Sequence, residues 1–176
     1  MNRKLKLWEL NRVSEEEFKT QKKNPIIVIL NDIRSLNNIG SFFRTSDAFN
    51  VEKIYLCGIT ATPPHREIQK TALGATETVS WEHKNSILEL VNELKEQGIK
   101  IASIEQAEKT TFLQDIPNLE YEKIALVFGN EVDGVDQDVI DTSDFIIEIP
   151  QFGTKHSLNV SVCAGVVLWE FAKRNI

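Results

Sequence analysis

The chain has 176 residues, 41% of them hydrophobic, and a formal net charge of −6. That length suits one domain with an ample core, and the acidic balance argues against non-specific nucleic-acid binding over the whole surface. No stretch of about 18 apolar residues occurs, and no apolar run follows the N-terminal Met1-Asn2-Arg3-Lys4, so a cytoplasmic protein outside the membrane is expected. Cys57 and Cys163 both sit in apolar runs and read as reduced core residues. There is no CxxC pair, and His65, His83 and His156 are scattered, so no metal site is expected.

The charge is uneven. Residues 1–25 carry seven Lys/Arg and four Glu, a net of +3, which leaves −9 for the rest of a chain totalling −6. This segment reads as a basic N-terminal arm with one short helix, ahead of a domain over 26–176. Ser14-Glu15-Glu16-Glu17 has capping-box spacing and starts that helix, which runs to about Lys22. Asn24-Pro25 ends it. Ile26 to Leu30 is a continuous β-branched run, hence an interior strand. The polar Asn31–Asn38 turn leads to a helix from about Ile39 to Phe49, with Asn37 or Asn38 as its cap. Ile39, Phe42, Phe43, Ser46 and Phe49 share one side, with Arg44 roughly opposite.

Lys53 to Gly58 reads as a second strand, 59–75 as a loop with a possible short helix, and Thr78 to Trp81 as a short strand. Ser86 to Gln97 is an amphipathic helix stopped by Gly98. Lys100 to Ile104 and Lys123 to Phe128 are further strands, separated by an acidic loop, and Asp136 to Asp141 is a short helix. Phe145 to Ile149 is the last strand. A loop from Pro150, bent at Gly153, leads to a helix from about Ser157, with Ser157 and Asn159 at its mouth. That helix is apolar on nearly every side, which implies burial against its own sheet and another surface, most simply a second subunit. Strands alternating with helices give an α/β fold, a mostly parallel sheet covered by helices on both faces.

Ligands of such sheets bind beyond the carboxyl ends of strands. Three strand ends carry polar residues here: Asn31–Asn38, Gly129-Asn130-Glu131 and Pro150–Asn159. No GxGxxG or Walker sequence follows a strand, which disfavours dinucleotide and nucleoside-triphosphate sites. Singly, the polar residues have plain readings. Asn38 suits a helix cap, Arg44 a surface position, Glu131 turn chemistry, and Ser157 an N-cap.

Together, Asn38-Ile-Gly-Ser-Phe-Phe-Arg44, Leu126-Val-Phe-Gly129-Asn-Glu131-Val-Asp-Gly134 and Ile149-Pro-Gln-Phe-Gly153-Thr-Lys-His-Ser157-Leu-Asn159-Val resemble, in order, the three motifs of the SpoU/TrmH family of SPOUT-class RNA methyltransferases. The resemblance spans roughly 26–172. It departs at Val132, where a Gly commonly follows the Glu. It implies a C-terminal trefoil knot, against the general rule that chains do not knot, and a homodimer. It implies S-adenosyl-L-methionine as cofactor, held mostly by main-chain groups at Ile104, Gly129, Ile149, Ser157 and Leu158. The implied reaction methylates a ribose 2′-OH of RNA; the compactness of the chain slightly favours tRNA over rRNA. Arg44 matches the family's catalytic arginine, and Asn38, Glu131, Ser157 and Asn159 match its other polar positions. A guanidinium is a poor base, so Arg44 is expected to grip a phosphate and stabilise alkoxide charge, oriented by Glu131. The alternative is a non-catalytic RNA-binding or ribosome-assembly module that keeps the fold.

Overall fold

A computed structural model describes residues 2–10 and 12–175. Seven strands form one sheet: β1 (Asn24–Asn31), β2 (Val51–Cys57), β3 (Trp81–Lys84), β4 (Lys100–Ile104), β5 (Thr111–Phe112), β6 (Ile124–Phe128) and β7 (Phe145–Glu148). Their order is β3-β2-β1-β6-β4-β7-β5, and every pairing is parallel. The helices are α1 (Glu15–Thr20), α2 (Leu36–Ala48), α3 (Arg66–Ala72), α4 (Ala75–Thr78), α5 (Ile87–Glu96), α6 (Gln137–Thr142) and α7 (Val160–Ala172).

The unbroken apolar runs follow from burial on both faces. In β1, Val28 and Leu30 join a cluster with Phe42 and Phe43 of α2 and Leu168 and Phe171 of α7. Ile27 and Ile29, pointing the other way, join Leu90, Val91 and Leu94 of α5 and Val139 of α6. β6 divides alike, with Leu126 and Phe128 on the first face and Ala125 and Val127 on the second. Pro25 donates no ladder hydrogen bond, and the β1–β2 register slips between Asn24 and Ile27.

Local signals account for most boundaries. Ser14 and Glu17 form a capping box on α1, and Ser86 caps α5. Gly98 follows α5 with φ of 78°, the left-handed conformation glycine adopts without strain. Several boundaries differ from the sequence expectation. Thr78 ends α4, and the third strand starts at Trp81, because the turn 74–79 closes with helical hydrogen bonds. The loop after β4 contains β5 and a 3-10 helix over Leu113–Asn118. Helix α7 begins at Val160, with Asn159 as its cap and Ser157 still in the loop.

The route into α7 shapes the site. β7 lies three strands from β1, yet α7 packs on α2 and β1. The segment 149–159 therefore returns across the carboxyl ends of β4 and β6. The apolar surface of α7 is only partly covered: Val162, Val166 and Trp169 are 55%, 40% and 49% exposed. Their i, i+4, i+7 spacing puts them on one stripe. Among the described residues, no helix is long and apolar enough to cross a membrane.

Candidate functional site

Beyond the carboxyl ends of β4, β6 and β7 lies a cavity of about 680 Å³. Its walls come from Ile104–Gln106, Phe128–Val135, Ile147–Ile149 and His156–Val160. Ile104, Gly129, Ile149, Ser157 and Leu158 all line it. Among the described residues, the main-chain groups of Ile149, Ser157 and Leu158 enter no turn, loop or cap hydrogen bond.

The loop after β6 is held by close backbone approach. Asn130 and Gly134 form an antiparallel bridge, with N–H···O distances of 3.1 and 3.2 Å. A Cβ on Gly129 would lie 2.0 Å from the Gly134 carbonyl carbon, so only glycine fits. Asn130 Oδ1 accepts from the backbone N–H groups of Val132 and Asp133 at 2.9 and 2.8 Å. This turn carries Val132 outward, where it is exposed.

Glu131 points back to the start of α2. Its carboxylate accepts from the backbone N–H groups of Arg34 and Ser35, both at 3.2 Å, and from Asn38 Nδ2 at 2.9 Å. Burial alone would push this carboxyl up. The hydrogen bonds from Asn38 and from the backbone of Glu131 itself, Arg34 and Ser35 outweigh that and hold it below the ordinary glutamate value. The anion also faces the positive end of a 13-residue helix.

Ser35, not Asn37 or Asn38, caps α2, accepting from the Asn38 N–H at 3.3 Å. The Asn38 side chain is thereby free to bridge two loops, and it is only 8% exposed. Its Oδ1 accepts from Asn159 Nδ2 at 3.2 Å. Asn159 in turn caps α7, its Oδ1 accepting from the Ser161 and Val162 N–H groups at 2.9 and 3.3 Å. Residues 38, 131 and 159 thus form one relay joining the three segments singled out in the sequence.

Arg44 stands apart. It is exposed, does not line the cavity, and has no ion pair among the described residues. Glu131 does not contact it, because the carboxylate is occupied by the start of α2. Ser157 lines the cavity and is exposed.

Glu105 is not among the site residues expected from the sequence. Its carboxylate accepts from the Gln106 and Val135 N–H groups at 2.9 and 3.1 Å, tying the β4 end to the β6 loop. The signal was present: Glu105 directly follows a buried strand at its carboxyl end. Cys163 also lines the cavity, and burial, with the nearby Glu105 charge, pushes its thiol up to about 12. It stays protonated at neutral pH and is no nucleophile. Among the described residues, no group of three or more His, Cys, Asp or Glu could hold a metal ion.

Residues 25–169 match the model of the SpoU rRNA Methylase family. The 23S rRNA (guanosine-2'-O-)-methyltransferase RlmB of Neisseria meningitidis serogroup B is 31% identical over 163 residues, covering 92% of this chain and 64% of that protein. The putative TrmH family tRNA/rRNA methyltransferase YacO of Bacillus subtilis is 29% identical, with 95% and 65% covered. The chain thus spans just under two thirds of these two relatives. The crystal structure of an A. aeolicus TrmH/SpoU tRNA modifying enzyme superposes with a TM-score of 0.79 at 25% identity, covering 92% of this chain and 80% of that one. An AdoMet-bound rRNA methyltransferase from Sinorhizobium meliloti shares the fold with a TM-score of 0.79 at 24% identity, covering 88% and 58%.

Proposed function

The chain belongs to the SpoU rRNA methylase family, and we propose that it methylates a ribose 2′-OH of RNA with S-adenosylmethionine as methyl donor. One observation carries the reading: a cavity at the strand ends, lined by main-chain groups at the positions where the family motifs converge. The residues present fit that donor. Gly129 leaves room for close backbone approach, and Glu105 and Glu131 give the walls negative charge suited to a sulfonium and an ammonium group. The relatives' names and the AdoMet-bound neighbour point the same way.

When bound, the donor supplies an electrophilic methyl group, so the protein's task is largely positional. The relay of Glu131, Asn38 and Asn159 fixes the loops around the cavity. Arg44 supplies a fixed cation in a fork geometry suited to an RNA phosphate and to charge developing on the 2′-oxygen. Arg44 lies outside its own chain's cavity, and in the proposed two-copy assembly it would sit at a mouth shared with the second copy. The stripe of Val162, Val166 and Trp169 is the proposed dimer face. The 2′-OH separates RNA from DNA at such a site.

The test pairs turnover with binding. Tritiated methyl transfer is measured into bulk tRNA and bulk rRNA, and donor affinity by calorimetry. Arg44→Ala should abolish transfer and leave donor affinity within about twofold. A wild-type chain that binds no S-adenosylmethionine would favour the non-catalytic RNA-binding reading instead.

A further inference from the structure

The cavity is poorly suited to hold the RNA chain itself. Glu105 and Glu131 line it, and two carboxylates repel a phosphate backbone. The RNA must be gripped at the rim, and the loop 150–159 forms that rim. Gln151 and His156 line the cavity, so the residues between them lie beside it in the chain.

Between those two stands Phe152, 98% exposed. It is the most exposed large hydrophobic side chain among the described residues. A bare phenyl ring in water has no structural benefit, and its neighbours offer it no apolar bed: Gln151, Gly153, Thr154 and Lys155 are all exposed. The loop is anchored on its C-terminal side. Gln106 Nε2 donates to the His156 carbonyl at 3.1 Å, and Asn159 anchors its far end to Asn38. An exposed aromatic ring thus stands between two cavity-lining residues, three positions from the exposed cation Lys155.

From this we infer that Phe152 is a substrate-binding residue on which a base of the RNA stacks, at or beside the nucleotide being methylated. Stacking suits an acidic surface, since it grips a polyanion without requiring a dense field of cations. Every base has a π-face, so the contact adds affinity and orientation more than sequence choice. Lys155 is placed to meet the adjoining phosphate. The inference rests on the proposed RNA methyl transfer.

The experiment compares wild type, Phe152→Ala and Phe152→Trp in the full chain. Tritiated methyl transfer to bulk tRNA and bulk rRNA gives KM and kcat, calorimetry gives S-adenosylmethionine affinity, and sedimentation gives assembly state. Removing one stacked base should raise KM for the methylated RNA roughly tenfold or more. Phe152→Trp should restore it, with donor affinity and assembly unchanged in both variants. An unchanged KM in Phe152→Ala overturns the inference. So does a loss of donor affinity or of assembly, which would place the ring against the cofactor or a second copy. Wild type that binds the donor but methylates neither RNA overturns the proposed substrate, and this inference with it.

Discussion

Gly129→Ala tests whether the cavity depends on close backbone approach. The new Cβ would meet the Gly134 carbonyl carbon at 2.0 Å, the Val135 nitrogen at 2.2 Å and the Gly134 oxygen at 2.3 Å. Ordinary carbon contacts begin near ~3.5 Å, so the 134–135 backbone must move by more than about 1 Å. No flexible side chain can yield in its place, because all three obstacles are main chain. The displacement would break the Asn130–Gly134 bridge and draw the Val135 N–H from Glu105. Three hydrogen bonds at roughly 0.5–1.5 kcal/mol each, not fully additive, combine with overpacking of about 1–3 kcal/mol. A net cost of about 3–6 kcal/mol follows, or a fall in Tm of roughly 6–24 °C at this chain length. Thermal melts read the stability, and calorimetry with S-adenosylmethionine should show binding lost. A variant that melts within about 2 °C of wild type and binds the donor equally well would refute the reasoning.

Val166→Asp puts a charge in the centre of the exposed α7 stripe. The wild-type chain of 20.0 kDa should sediment at twice its mass and the variant as a monomer; a monomeric wild type would remove the proposed interface. Glu131 has a carboxyl held below its ordinary value, so its contribution is present above the unfolded-state pKa and is lost as pH falls through the folded one. The stability gap between wild type and Glu131→Gln should therefore be widest above about pH 5 and close on acidification; a gap independent of pH in chemical denaturation would show that the carboxylate charge plays no part.

Much of the fold was legible because burial on both faces leaves an unmistakable record. Ile26–Leu30 and Ile124–Phe128 could be read as interior strands from composition alone, and both are buried throughout. The capping box at Ser14 and the glycine at 98 worked because each acts within four residues. Most of the failures share a cause, which is packing between residues distant in sequence. Thr78 and Val79 have β-branched side chains that suit a strand, but tertiary packing holds them at a helix end, where Thr78 Oγ1 donates to Asp47. β5 has two residues, too few to carry a period. In the Asn31–Asn38 turn several residues could cap, and what selects Ser35 lies elsewhere: Asn38 is drawn away by Glu131 and Asn159, 93 and 121 residues later.

The same long-range closure explains why the site carried so faint a signature. Its walls offer main chain, which any sequence supplies, and the few side chains that matter mostly bind one another. Glu131 is fixed by backbone N–H groups and an amide, and Asn159 divides its side chain between Asn38 and the start of α7. Such a site has no dense run of charge to betray it. It also sits in a body with a net charge of −9 outside residues 1–25, so phosphate contacts must be few. Each phosphate neutralised contributes about 0.9 to the logarithmic salt slope on duplex and about 0.7 on single strands. On the proposed function, recognition of RNA by this surface would then rest on the 2′-hydroxyl, a stacked base and local shape. Arg44 and Lys155 would then serve as isolated grips, in place of a basic channel.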